Sequence, residues 1–258
     1  MIPEIKGGIG SSGPAIRAAF GATRVVTQTL VYNDRRPNIL RNWYFKDPVN
    51  QRRAVSWIPG KYGPDCWKAN GGYPELAEGG LSLDNKAQAL QFIPLDRLVK
   101  GEKYTLSVKL AEDVEHVASG ESRKWSASVK YFTSVYASSV VATYCPLEAG
   151  VHSITFTLPD TECIYYGVLL DAGKSYVTAP IIVESVKLER GETSTLESDD
   201  MPDKGTELLR CQTSFQLFAD ASRCPTSRYD FRPVMDAEPT ISTLEIDGVT
   251  YTTASCEI

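Results

Sequence analysis

The chain has 258 residues, of which 42% are hydrophobic and 23% charged, an ordinary composition for a globular protein with a sizeable core. Its net charge of −5 excludes a general nucleic-acid binder, which needs a basic face, and is compatible with neutral ligands such as sugars. No apolar run reaches the length of about 18 residues that a membrane-spanning helix needs, and the first residues do not read as a signal peptide.

The first segment, residues 1–36, is predicted to be an anchoring arm. Four glycines and a proline lie within Gly7–Pro14, and such a run cannot sustain a helix or a central strand. A short helix over Ala15–Phe20 and an extended strand over residues 24–32 fit the pattern that follows. The arm would become ordered only against a partner, and a disordered tail is the alternative.

Residues 37–191 have the period-two alternation of strands with one face on a core. Apolar side chains alternate with polar ones over residues 104–110, 125–131, 154–158 and 182–188. Turn residues separate these segments, and helical periodicity is weak throughout. Several such strands within about 150 residues predict a mainly β protein built on a jelly-roll β-sandwich.

The last part of the chain changes character twice. Residues 192–205 are polar and acidic, which predicts a linker. A helix is predicted over residues 206–218, because apolar residues recur there on one stripe: Leu208, Cys211, Phe215 and Phe218. Asp247-Gly248 separates two strand-like runs and predicts a hairpin. Residues 206–258 should therefore form a small region of one helix and one hairpin.

No residue pattern indicates catalysis. The spacing of the acidic residues selects no pair for acid–base chemistry, and the chain has no Gly-x-Ser-x-Gly nucleophile elbow. The two histidines, His116 and His152, fit incidental positions, in an acidic turn and at the start of a strand. We therefore expect a protein that is not an enzyme and has no catalytic residues and no cofactor.

The six cysteines lack the spacing of a zinc site, so no metal-ligand set is predicted from them. Six free thiols made in a reducing cytoplasm are expected, with a bridge between Cys211 and Cys224 as the alternative. Jelly-roll modules that bind sugars often hold a structural calcium ion. No ligand set for calcium is legible in this sequence.

Aromatic residues are the strongest indication of a ligand surface. Trp57, Tyr62, Trp67 and Tyr73 lie in a glycine-rich, loop-like stretch, where indole and phenol rings could stack on the apolar face of a sugar. These four residues form the predicted glycan-binding set, and packing in the protein interior is the alternative for each. Trp43, which lies in a strand-like run, is expected to fill the core together with Phe45.

Five segments carry a resemblance to a known group of proteins. In chain order they are Pro37–Phe45 with Pro48–Arg52, Gly101–Val108, Val186–Thr195, Leu208–Gln216 and Arg232–Thr240. Together they resemble bacteriophage and prophage tail-fibre or baseplate-associated proteins built on a carbohydrate-binding-module-like jelly roll. Two features depart from that group: Arg53 stands where a glycine is usual, and the N-terminal arm has no counterpart.

The resemblance implies a phage virion structural accessory protein: a fibre, a tail tip or a head decoration. Such a protein would be assembled in the host bacterial cytoplasm, join other virion proteins through residues 1–36 and form a homotrimer, for which the C-terminal helix is the predicted contact. Its sandwich would face outward and attach to a host cell-surface polysaccharide. A polysaccharide depolymerase or glycosidase, and a purely architectural subunit without a ligand, are the alternatives.

Overall fold

A computed structural model describes four stretches of the chain, residues 36–115, 125–134, 137–173 and 179–257. The predicted arm, with its helix and strand, lies outside the described residues except for Arg36, and so does His116. The chain from Pro37 onward forms one compact unit.

Thirteen strands and one α-helix make up the regular structure of the described residues. The helix, α1, is Lys204–Gln212. The strands are β1 (Lys68–Gly71), β2 (Glu75–Ala77), β3 (Gly80–Leu83), β4 (Gln88–Ile93), β5 (Lys103–Leu110), β6 (Ser126–Phe132), β7 (Ser138–Tyr144), β8 (Gly150–Thr157), β9 (Tyr165–Asp171), β10 (Ile181–Arg190), β11 (Phe215–Phe218), β12 (Thr240–Ile246) and β13 (Val249–Ser255).

The first ten strands form two five-stranded antiparallel sheets. Sheet I has the order β2-β3-β10-β5-β8, and sheet II has the order β1-β4-β9-β6-β7. From β3 to β10, successive strands lie in opposite sheets, except for β6 and β7, which pair with each other. This winding is that of a jelly roll, so the predicted mainly β, jelly-roll fold class is confirmed.

The core lies between the two sheets and contains the apolar residues that the alternation selected. In β5, Tyr104, Leu106 and Val108 are buried as predicted, but so are Thr105 and Ser107 on the opposite face. The outward face of this strand is therefore not in water, as period two alone would indicate. The reason is that the chain after β10 folds back over sheet I.

The segment that reads as a linker, residues 192–205, is held on sheet I by buried polar groups. The Lys187 ammonium group donates to Thr195 Oγ1 at 2.7 Å and pairs with Asp199 at 2.6 Å. The Glu189 carboxylate accepts hydrogen bonds from the Thr195 amide and hydroxyl groups, at 2.7 and 2.8 Å. The predicted domain boundaries stay a prediction, although residues in this stretch pack against sheet I.

The C-terminal region contains a helix and a hairpin, but the helix is shorter than predicted. It starts at the Asp203 cap, whose carboxylate accepts from the Thr206 amide group at 2.7 Å, and ends at Gln212. The residues predicted to continue the helix form β11, because they pair with β13 in a three-stranded sheet. The hairpin of β12 and β13 is confirmed, with Asp247 and Gly248 at φ +51° and +76°.

No helix within the described ranges is long and apolar enough to cross a membrane.

Candidate functional site

The segment before β1, residues 37–52, is called the entry segment. Part of it lies beside β10 but does not form a full strand. The Phe45 amide group donates to the Glu184 carbonyl at 2.8 Å, and the Val186 amide group donates to the Trp43 carbonyl at 3.0 Å. Only one isolated bridge, at Tyr44, forms there. Trp43 and Phe45 are nevertheless buried in the core, as predicted.

Asn42 is the first of several polar residues that tie this entry segment to the C-terminal region. Its amide N–H donates to a Glu207 carboxylate oxygen in α1 at 2.5 Å. Its side-chain amide donates to the carbonyls of Val49 and Asp65, at 2.7 and 2.8 Å, and accepts from the Val49 amide group. Nearby, Arg210 of α1 donates to two main-chain carbonyls of the entry segment at 3.0 Å each.

Arg52 forms the second connection between the entry segment and the C-terminal region, because it pairs with two buried carboxylates, those of Asp65 and Glu257. Its guanidinium group is 3.3 Å from Asp65 Oδ1, pairs with Glu257 and lies over the Phe215 ring, 3.4 Å from its centroid. Burial raises the pKa of Asp65 to about 7 despite the attraction of Arg52, and it raises the pKa of Glu257 as well. Because two carboxylates share one cation, burial favours the protonated form of these carboxyl groups.

A cleft of about 520 Å³ lies beside this connection, between the sandwich and the C-terminal sheet. Its volume is within the range of small-molecule sites, about 300–1,000 Å³. Three aromatic rings line it, those of Tyr62, Phe92 and Tyr165. The Phe92 and Tyr165 rings meet edge to face with their centroids 4.6 Å apart. The Lys68 ammonium group lies near the cleft, 5.5 Å from the Phe92 centroid.

Four of the five charged residues that line the cleft form ion pairs, and the fifth is Asp96. The Arg41 guanidinium group is 2.6 Å from Asp236, which Arg97 also approaches at 3.5 Å. Glu257 is held by Arg52 and accepts from the Cys66 amide group at 3.1 Å. The wall is therefore mainly apolar and most of its charged residues are paired, which suits a ligand of low net charge.

The structure separates the four predicted glycan-binding residues. Trp67 is 0% exposed: its ring packs edge to face on Phe45, at 5.1 Å between centroids, and its Nε1 donates to a main-chain carbonyl. Trp57 is 3% exposed and lies against Gly63, where a Cβ atom would be 2.2 Å from the indole. Neither indole offers a face to a ligand, so for these two the packing alternative replaces the predicted role.

The two tyrosines of the predicted set lie elsewhere. Tyr62 lines the cleft, and Tyr73 is 67% exposed but is not among the residues that line it. Stacking of a sugar on either ring stays a prediction. Tyr62 thus belongs to the candidate site by position, whereas Tyr73 would belong to a separate surface.

Three aromatic residues that were not in the predicted glycan-binding set lie on the outer face of sheet II. Phe92, Phe132 and Tyr165 contact one another there, at centroid distances between 4.6 and 5.4 Å. A signal was present in β4, where Leu90 and Phe92 are apolar although Ala89 and Ile93 already supply the core face. Apolar residues on both faces of a strand indicate that both faces are covered or used.

Potential metal-binding side chains do not cluster in the described part of the chain. Among the described residues, no group of three or more His, Cys, Asp or Glu side chains is placed to hold an ion, so the calcium suggestion gains no ligand set. His152 contacts the Glu148 carbonyl at 2.7 Å and does not line the cleft. The six cysteines are free thiols, and Cys211 and Cys224 pack in different clusters, which excludes their bridge here.

No protein-family model and no curated protein matches the chain. Solved structures do match in part. They include the CBM22-1 and GH10 modules of an endo-1,4-β-D-xylanase from Clostridium thermocellum complexed with xylohexaose: 17% identity, 66% of this chain, 30% of that one, TM-score 0.35. The CBM22-1 xylan-binding domain from Paenibacillus barcinonensis matches at 11% identity, over 62% of this chain and 97% of that one, with a TM-score of 0.34.

A tailspike protein of bacteriophage CBA120 also matches, at 12% identity over 60% of this chain and 21% of that one, with a TM-score of 0.34. The matches thus span less than a third of the xylanase and tailspike chains. Scores at this level carry no argument about ligand or activity. The jelly roll is established by the strand order of the chain itself.

Proposed function

We propose that the protein is a non-catalytic virion accessory protein of a bacteriophage or prophage, and that it binds a host-surface polysaccharide in the cleft beside sheet II. The observation that carries the binding proposal is the 520 Å³ cleft walled by Tyr62, Phe92 and Tyr165. Sugar rings present an apolar C–H face to aromatic rings, while their hydroxyl groups bond to polar groups at the rim.

The charge pairs in the wall support binding rather than cleavage. A glycosidase needs one carboxyl group that gives up a proton and a second that acts as base or nucleophile. In this cleft Asp236 is paired with Arg41, and Glu257 is held by Arg52. Two of the three carboxylates that line the cleft are therefore held in ion pairs, which leaves Asp96 without the second free carboxyl group that cleavage requires.

The virion setting is supported by the residues that resemble phage tail proteins. Three of these segments meet at the junction, where residues 37–52 contact the C-terminal region: Asn42 and Arg52 come from the first, Phe215 from the fourth and Asp236 from the fifth. They hold the C-terminal region on the sandwich, a role that a displayed virion module would need. Attachment through residues 1–36, a homotrimer and assembly in the host bacterial cytoplasm are parts of the same proposal.

Polysaccharide binding tests the cleft. Purified protein is titrated with host cell-wall and capsular polysaccharides, and Phe92→Ala and Tyr165→Ala should each weaken binding at least about tenfold, the effect of losing an aromatic anchor. Tyr73→Ala is the matched control, because this ring is exposed outside the cleft lining. Thermal unfolding of each variant separates lost binding from lost folding.

The other outcomes identify the competing functions. Binding that is lost in Tyr73→Ala and kept in both cleft variants would move the site to the exposed loop. No binding to any host polysaccharide would favour the architectural subunit, and release of reducing ends would show a depolymerase.

The virion setting needs its own test, since it could fail independently of binding. Deletion of residues 1–23 should leave the sandwich folded and remove the protein from purified particles, as measured by mass spectrometry of the virions. Particles that retain the truncated protein would refute the anchoring role.

A further inference from the structure

Two thiols meet where the sandwich joins the C-terminal region. Cys66 lies just before β1, Cys211 lies in the last turn of α1, and the two pack together with Val49 in a small buried cluster. Both side chains belong to this one cluster, and the Cys66 thiol is near enough to raise the pKa of Cys211. The pair is separated by 145 positions in sequence (211 − 66), so a bond between them would join distant parts of the chain.

The backbone around both thiols is held in place. The Cys66 amide group donates to Glu257, and the neighbouring Asp65 and Trp67 amide groups donate to the carbonyls of Val49 and Pro64, at 3.1 and 3.0 Å. Cys211 is part of a capped helix. The two cysteines are therefore neighbours on a fixed backbone, and a disulfide between them requires their sulfur atoms to approach to about 2.05 Å.

The two thiols differ in access. Cys66 lines the cleft, whereas Cys211 is fully buried. A small oxidant in the cleft would thus meet Cys66 first. The hydrogen bond to Cys66 and burial raise the pKa of the Cys211 thiol above its usual value, so its thiolate is scarce at neutral pH and the second step is slow.

We propose that Cys66 and Cys211 form a redox-sensitive cross-link, which closes when the protein meets a low-molecular-weight disulfide such as oxidised glutathione. The Cys66 thiolate attacks one sulfur of the reagent and releases one small thiol. Cys211 then attacks the Cys66 sulfur and releases the second small thiol. The protein loses two protons and two electrons, and the reagent disulfide takes them up and is reduced to two thiols.

The cross-link would clamp the sandwich to α1 and stabilise the junction. Closing a long loop restricts the unfolded chain more than closing a short one, so oxidation should raise the Tm by about 5–10 °C. This inference does not depend on polysaccharide binding or on a virion setting.

Peptide mapping of the native protein tests the pairing. The full chain is incubated with oxidised glutathione at pH 8, well below its Tm, then alkylated and digested with trypsin. We expect one cross-linked species joining residues 62–68 to residues 211–223, and a free-thiol count lower by two than the starting six. Glutathione that stays on Cys66, a pairing of other cysteines or six unchanged thiols would each overturn the proposal.

Variants separate the cross-link from general oxidation. Cys66→Ser and Cys211→Ser should each abolish the rise in Tm, whereas Cys145→Ser, in the sandwich, should retain it. A rise that persists in Cys211→Ser would assign the effect to another thiol. The wild-type peptide map decides the pairing even if one of these variants fails to fold.

Discussion

The sandwich core and the junction with the C-terminal region are built from different kinds of residue. The core is a regular apolar layer between two sheets, in which residues such as Leu106 and Val168 alternate with outward-facing neighbours. The junction is polar: Asn42 and Arg52 bond to carboxylates of the C-terminal region, Asn42 and Glu207 are buried, and the Arg52 side chain is 12% exposed. A repeated apolar pattern is enough to specify the core, whereas the junction depends on individual polar side chains.

Loss of a large buried ring from the core should have the largest effect on stability, and Trp67 tests this expectation. Trp67→Ala should lower the free energy of unfolding by about 3–5 kcal/mol, because it removes a fully buried ring from the core. Tyr73→Ala, on the exposed ring, should change it by less than about 0.5 kcal/mol. Urea unfolding of both variants measures the difference, and similar values for the two would contradict the assignment of Trp67 to the core.

Arg52 tests the junction. Arg52→Ala should cost about 3 kcal/mol at neutral pH, because it leaves two buried carboxylates without their cation. The cost should shrink at acid pH, where those carboxylates take up protons. Arg53→Ala is the matched control, since its pair with Asp247 is exposed and should contribute less than about 1 kcal/mol. Equal losses in the two variants, by urea unfolding, would show that the junction is no more demanding than the surface.

The effect of pH is the smallest for a single step of one pH unit, and it tests whether Asp65 and Glu257 carry more negative charge than Arg52 neutralises. Burial raises the pKa of Asp65 to about 7 from 3.8, so between these values the folded state holds a proton that the unfolded state has released. The stabilising contribution is complete below about pH 4 and is lost as the pH rises through about 7, with a slope of at most about 1.4 kcal/mol per pH unit.

Asp65→Asn should remove this part of the slope, and Glu257, whose pKa is raised in the same direction, should retain its own part. Asp247→Asn, at an exposed position, serves as the control and should leave the profile unchanged. The measurement is the free energy of unfolding between pH 4 and 8. A wild-type profile that rises over this range would contradict the assignment.

Period-two alternation predicted four of the ten sandwich strands, because it reports a local property, the side of a strand on which each residue lies. The predicted strands became β5, β6, β8 and β10, and Asp247-Gly248 became the hairpin turn. The same local reasoning failed for Phe215–Phe218, where helical spacing was present but pairing with β13 decided the structure. Strand pairing depends on residues far away in the chain, which periodicity does not report.

The candidate site was decided almost wholly by tertiary structure. Sequence reasoning placed Tyr62 in the ligand surface, and this residue does line the cleft, but its neighbours Phe92 and Tyr165 come from strands far along the chain. Trp57 and Trp67 read as loop aromatics, yet the fold buries both. Composition and spacing determine that a residue is aromatic and near a turn, whereas exposure of its ring depends on what the rest of the chain packs against it.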